Sequence, residues 1–159
     1  MGHMMKVEFI QPFLDSTRNV LSTMAQTEAI PQKPFVKKGE QPIGDVTGTI
    51  GMVSKQIKGS MAISFTASAI LLIASRMLGE TFSEVNETIA DMVGEITNMV
   101  TGGAKSLLAE KGYSFNMALP TTIVGKDHTI YHTTRNPAIV IPFETEGGQI
   151  FIELCFETI

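Results

Sequence analysis

Residues Thr81 to Gly112 run TFSEVNETIADMVGEITNMVTGGAKSLLAEKG and read as one long amphipathic helix. Thr81-Phe82-Ser83-Glu84 has the pattern of a capping box, in which hydroxyl and carboxylate satisfy the free backbone groups of a helix start. Gly112 suits the left-handed residue that follows a helix end. Between them Val85, Ile89, Met92, Val93, Ile96, Met99, Val100 and Leu107 recur at helical spacing and form an apolar stripe. Beside it Glu84, Thr88, Asp91, Glu95, Asn98, Gly102 and Lys105 step by four and three, so they form one polar row on one side. Gly94, Gly102 and Gly103 each cost roughly 1 kcal/mol against alanine inside a helix. A helix that keeps three of them trades stability for close approach of a neighbour or a partner.

The flanking chain supplies a sheet. Val46, Gly48, Ile50 and Met52 alternate, as do Met61, Ile63 and Phe65, and residues 54–59 read as the turn of a hairpin. A helix is expected over 67–78, stopped by Gly79, and another over 7–29 with Phe9, Phe13, Val20, Leu21 and Met24 on one side. In that first helix Pro12 is expected in the first turn, where its missing N–H does least harm, and Pro31 and Pro34 close it. Residues 34–37 read as a short edge strand that proline and lysine protect from unwanted pairing. Residues 114–124 are extended, with Pro120 at an edge or bulge, and Ile130-Tyr131 reads as a short strand. Two β-rich runs, 138–145 and 149–158, are joined by Glu146-Gly147-Gly148 as a hairpin. The expected architecture is α+β: a single domain, one antiparallel sheet with helices packed on one face.

Composition narrows the class. At 159 residues the chain has the length of one domain with a real core. A net charge of −4, without a basic block or a tryptophan, argues against a nucleic-acid surface. Its one cysteine, Cys155, precludes an internal disulfide and fits a reducing cytoplasm. The longest apolar run is too short for membrane insertion. Met1-Gly2-His3-Met4 reads as an expression scar, leaving 5–159 as the domain, and no signal peptide is read.

On spacing alone, Asp91, Glu95 and Asn98 would be a solvated helix face. Asp91-x3-Glu95-x2-Asn98 followed by Gly102, Lys105 and then Pro120 at a strand start resembles the signature of the CheC/CheX phosphatases of bacterial chemotaxis. The likeness is to the branch that carries the signature once. It implies that Asn98 enters the active site of a phosphorylated CheY-type response regulator and orients the attacking water. It implies that Glu95 pairs with the regulator's active-site lysine. Asp91 would be a supporting hydrogen-bonding residue and Pro120 would shape the strand beside the helix. Gly102 and Lys105 would admit and steer the partner, or pack and solvate. Mg²⁺ would belong to the regulator, since this chain has no ligand cluster of its own. The resemblance also implies a homodimer joined by strand pairing. Its rival reading is a non-catalytic module that binds regulators, as in the flagellar switch proteins of the same fold family. A third is a self-associating module that buries the polar row.

Other candidates read as structural. His128 and His132 are four apart, a zinc spacing on a helix, but their surroundings read as loop. Cys155 reads as a buried structural thiol, and Met92 and Met99 as core rather than a docking face. Gly44, Gly48 and Gly51 fit neither a phosphate loop nor a dinucleotide fingerprint, because a strand pattern rather than a helix follows.

Overall fold

The computed structural model describes residues 7–37, 44–55, 57–126, 128–130, 132 and 137–158. The expected scar at 1–4 and the Tyr131 half of one expected strand lie outside them; Ile130 is buried but belongs to no strand. In chain order the elements are α1 (Val7–Ala25), β1 (Ile30–Pro31), β2 (Phe35–Val36), β3 (Val46–Val53) and β4 (Ile57–Phe65). Then come α2 (Ala67–Leu78), α3 (Glu87–Glu110), β5 (Asn116–Met117), β6 (Thr121–Val124), β7 (Ile139–Thr145) and β8 (Gly148–Thr158). This is the α+β single domain that the hydrophobic patterns imply.

All strand pairs are antiparallel, in the order β1-β7-β8-β4-β3-β5, with β2 also on β7 and β6 also on β3. The two hairpins form the middle of the sheet, and the short strands are its edges. Alternation then sorts the side chains. Val46, Gly48, Ile50, Met61, Ile63, Phe65, Ile150, Ile152 and Leu154 share one face by register. That face meets the helices: Phe156 packs its ring against Phe9 and Phe13 of α1. Ile70, Ile73, Ile89, Val93, Ile96 and Val100 of α2 and α3 complete the same core.

Local signals placed α2 well. Thr66 caps it through its side chain, and Gly79 takes φ 70° with its N–H on the Ser75 carbonyl. The β7–β8 hairpin is tightened by Thr145, whose Oγ1 accepts from the N–H groups of Gly147 and Gly148.

Four details correct the sequence reading. The long helix begins at Glu87, capped by Asn86, whose Oδ1 accepts from the Ile89 N–H at 3.0 Å. The Thr81–Glu84 box is not used, because the Phe82 N–H is taken by Ser75 Oγ, tying this link to α2. Glu84 and Val85 therefore lie ahead of the helix. Its end is as expected, with Gly112 at φ 91°. Helix α1 stops at Ala25, where Gln26 takes φ 45°, rather than running to 29. Met24 is 45% exposed, not core. Pro12 stands inside α1, beyond the first turn, and the Glu8 carbonyl it cannot bond accepts Lys111 Nζ.

Candidate functional site

Helix α3 presents two distinct faces. At roughly 100° per residue, Asp91, Glu95, Asn98, Gly102 and Lys105 fall within a band of about 80°. The opposite side carries Ile89, Val93, Ile96, Thr97, Val100, Thr101, Ala104 and Leu108, all buried. Asp91, Glu95 and Asn98 are exposed, whereas Gly102 and Lys105 are half-buried. Among the described residues no hydrogen bond or ion pair engages the side chains of Asp91, Glu95 or Asn98, so carboxylate and amide are available to solvent or to another molecule. An exposed amide can donate to one group while accepting from another, and a nearby carboxylate can hold a cation.

The three glycines of α3 separate in role. A Cβ at Gly102 would meet nothing within 4 Å, so this position leaves an open notch beside the row. A Cβ at Gly94 would touch Thr122 Oγ1 in ordinary contact at 3.6 Å. At Gly103 it would collide with Ser16 Oγ, so Gly103 is where α1 comes close. Ser16 there donates to the Val100 carbonyl at 2.6 Å.

Pro120 immediately precedes β6 in the break between β5 and β6, and is half-buried. Proline lacks a ladder donor, so a break between two strands that share β3 accommodates it. From β6, Thr122 Oγ1 donates to the Ala90 carbonyl at 3.3 Å, fastening the strand to the first half of α3. Leu119 beside it is 89% exposed.

The sheet face turned away from the helices holds a second polar cluster that sequence did not reveal. Glu153 is fully buried there, its Oε1 accepting from Lys37 Nζ at 2.9 Å and from His132 Nε2 at 3.1 Å. His132 Nδ1 meets Ser60 Oγ at 2.6 Å, and Lys37 Nζ also donates to the Ile130 carbonyl at 2.7 Å. His128 joins the Gly125 carbonyl to Thr47 Oγ1. Burial alone would raise the Glu153 pKa, but its hydrogen bonds to His132 and Lys37 and their charges outweigh that and hold it below the ordinary value. The histidines are thus loop residues that fasten the segment after β6 across this face. Ser60 and His132 also line a shallow cleft of about 420 Å³. Among the described residues no three His, Cys, Asp or Glu side chains come together as metal ligands, and Cys155 is buried. The one sequence signal for this cluster was Glu153 between Ile152 and Leu154, a charge on the alternate face of an apolar strand.

Comparison with known proteins adds the context of the row. Residues 46–144 match the protein family described as Chemotaxis phosphatase CheX. Over 80 residues the chain is 28% identical to the CheY-P phosphatase CheX of Thermotoga maritima. That match covers 50% of this chain and 52% of the relative, about half the length of each. The crystal structure of chemotaxis protein CheX from Vibrio vulnificus is 54% identical, with 94% of this chain and 99% of that one covered and a TM-score of 0.90. A chain of the CheX–CheY–BeF3–Mg complex from Borrelia burgdorferi is 25% identical, with 96% and 99% covered and a TM-score of 0.80. No helix among the described residues is long and apolar enough to cross a membrane.

Proposed function

This chain belongs to the CheX family of chemotaxis phosphatases, and we propose that it removes the phosphoryl group from the aspartyl phosphate of a CheY-type response regulator. The observation that carries the reading is the exposure of Glu95 and Asn98 together on one ridge of α3, uncommitted to any described partner within the chain. The names of the Thermotoga and Borrelia relatives supply the substrate class.

An aspartyl phosphate is an activated acyl phosphate, so positioning and electrostatics do most of what a catalyst must do. Asn98 enters the regulator's active site, and its amide holds a water in line with the departing carboxylate oxygen. The water oxygen bonds to phosphorus as the bond from phosphorus to the aspartyl oxygen breaks. The carboxylate leaves with the electron pair, and both protons of the water remain with the inorganic phosphate as it is released. Glu95 pairs with the regulator's active-site lysine, which fixes the pose before chemistry. Asp91, exposed one turn before Glu95, hydrogen-bonds to the regulator rather than within the chain, and the open notch at Gly102, with Lys105 nearby on the same side of α3, admits the partner.

Mg²⁺ belongs to the regulator in this reading. On the α3 ridge the carboxylates of Glu87, Asp91 and Glu95 follow one another at four-residue spacing, and among the described residues no three His, Cys, Asp or Glu side chains come together as metal ligands. The chain acts in the cytoplasm with its regulator, and pairs with a second copy through a sheet edge. The edge strands β1 and β2, with Ile30, Phe35 and Val36 exposed, are the better candidates for that pairing.

The test is phosphate release from phosphorylated regulators of the same cell by the wild-type protein and by Asn98→Ala. Wild-type acceleration that falls roughly 10²–10³-fold in the variant is the expected result. Binding of the regulator without acceleration would identify a docking module instead.

A further inference from the structure

The turn of α3 that bears Glu95 and Asn98 is seated on the middle of a strand, and the seat is Gly48. Thr97, between the two proposed site residues, points the opposite way and is fully buried. Its Oγ1 donates to the Val93 carbonyl at 2.7 Å. A Cβ at Gly48 would overlap Thr97 Oγ1 outright, and would stand 3.0 Å from Thr97 Cβ and 3.3 Å from Val93 Cγ1. The backbone of Gly48 is not in the left-handed region, so a positive φ does not explain the glycine; space does.

Neither side of this contact yields easily. Strand β3 cannot retreat, because Gly48 is paired on both flanks, with Ile63 of β4 and Thr122 of β6. Thr97 cannot swing Oγ1 away without losing its hydrogen bond or putting its methyl in the same space. An added carbon at 48 therefore displaces the helix, at the one turn whose outer side carries Glu95 and Asn98.

We propose that Gly48 is a positioning residue for the phosphatase reaction: by admitting Thr97 against the strand it sets the depth and rotation at which Asn98 is presented. This rests on the proposed function, and adds to it a residue on the far side of the helix that touches no substrate. Misplacement of a reacting group by about 1 Å lowers rates by about 10²-fold. A displaced but still exposed Asn98 therefore loses turnover more than it loses docking.

The experiment is a steady-state comparison of wild type, Asn98→Ala, Gly48→Ala, Thr97→Ala and the double variant Gly48→Ala/Thr97→Ala on one phosphorylated regulator. Near-ultraviolet circular dichroism checks that each is folded. Gly48→Ala is expected to lower kcat about 10- to 100-fold with a smaller change in KM. The double variant, relieved of the Oγ1 overlap, is expected to recover most of that loss, to the level of Thr97→Ala alone. Gly103→Ala is the structural control. It collides with Ser16 Oγ at the α1 contact, so it is expected to lower Tm without the drop in kcat. Wild-type kcat in folded Gly48→Ala, or a loss that Thr97→Ala does not relieve, overturns the proposal. Should Gly48→Ala not fold, Thr97→Val alters the same contact from the helix side. A kcat for it equal to wild type is then the overturning result, and a selective fall in kcat the supporting one. Absence of turnover in the wild type, or full turnover in Asn98→Ala, would instead remove the functional reading itself.

Discussion

Lys37 and Glu153 are 116 residues apart in sequence and meet at 2.9 Å in a layer where both side chains are almost sealed from water. Removing one partner of such a pair leaves the other as an uncompensated buried charge. Glu153→Leu is therefore expected to lower unfolding free energy by about 3–5 kcal/mol. Replacing both, as in Lys37→Met with Glu153→Leu, should recover most of it, since two desolvation penalties disappear together. Urea unfolding of the two single variants and the double variant measures this. Equal losses in single and double variants would mean that the pair does not act as a unit.

The same carboxylate predicts a dependence on acid. Its folded pKa lies below the ordinary 4.5 because His132 and Lys37 hold the ionised form against the effect of burial. A lowered carboxylate pKa contributes stability that is present above the unfolded value and lost as pH falls through the folded one. Wild type should thus lose stability faster than Glu153→Gln as pH drops below about 4.5, with parallel curves near neutrality. Unfolding free energy against pH for the two proteins tests it, and curves parallel down to pH 3 would contradict the cause assigned to the shift.

What was legible in the sequence was what neighbours in sequence decide. Helix α2 lies where its apolar run and the stop at Gly79 put it, whereas the equally local start signal, the Thr66 cap, went unread. The two hairpins followed from alternation, and the polar row on α3 from helical spacing. Contacts between distant segments were not legible. Lys37, Ser60, His132 and Glu153 are polar residues that look exposed one by one, and only the segment after β6 lying across the sheet buries them together. Met24 obeyed the helical period of α1 yet faces solvent, because period assigns a side but not the extent of what covers it. Gly48 read only as one member of an alternating strand, and the space it leaves is visible only with Thr97 above it.

The start of α3 offers a direct choice between two caps. Asn86 Oδ1 accepts the Ile89 N–H, so Asn86→Ala should cost about 1 kcal/mol. It should also speed hydrogen exchange at the Ile89 amide. Asn86→Asp keeps the acceptor, adds a negative charge at the positive helix end, and should be neutral or slightly stabilising. Glu84→Ala, in the unused box, should leave both quantities unchanged. A larger effect at Glu84 than at Asn86 would move the helix start back toward residue 81.

Glu95 separates docking from chemistry. Exposed as it is in the free protein, its carboxylate contributes little to folding, so Glu95→Ala should leave Tm within about 2 °C by the usual behaviour of surface changes. In the proposed complex it becomes a desolvated partner of the regulator's lysine, where truncation costs about 2 kcal/mol or more, roughly 30-fold in KM for the phosphorylated regulator. Turnover at saturation should fall much less, because Asn98 still places the water once the complex has formed. Raising ionic strength should weaken the wild-type complex and narrow the gap between it and the variant, since screening acts on the interaction the variant lacks. A loss confined to kcat would instead put Glu95 beside the water with Asn98, and a loss in neither would leave the ridge with a single working residue.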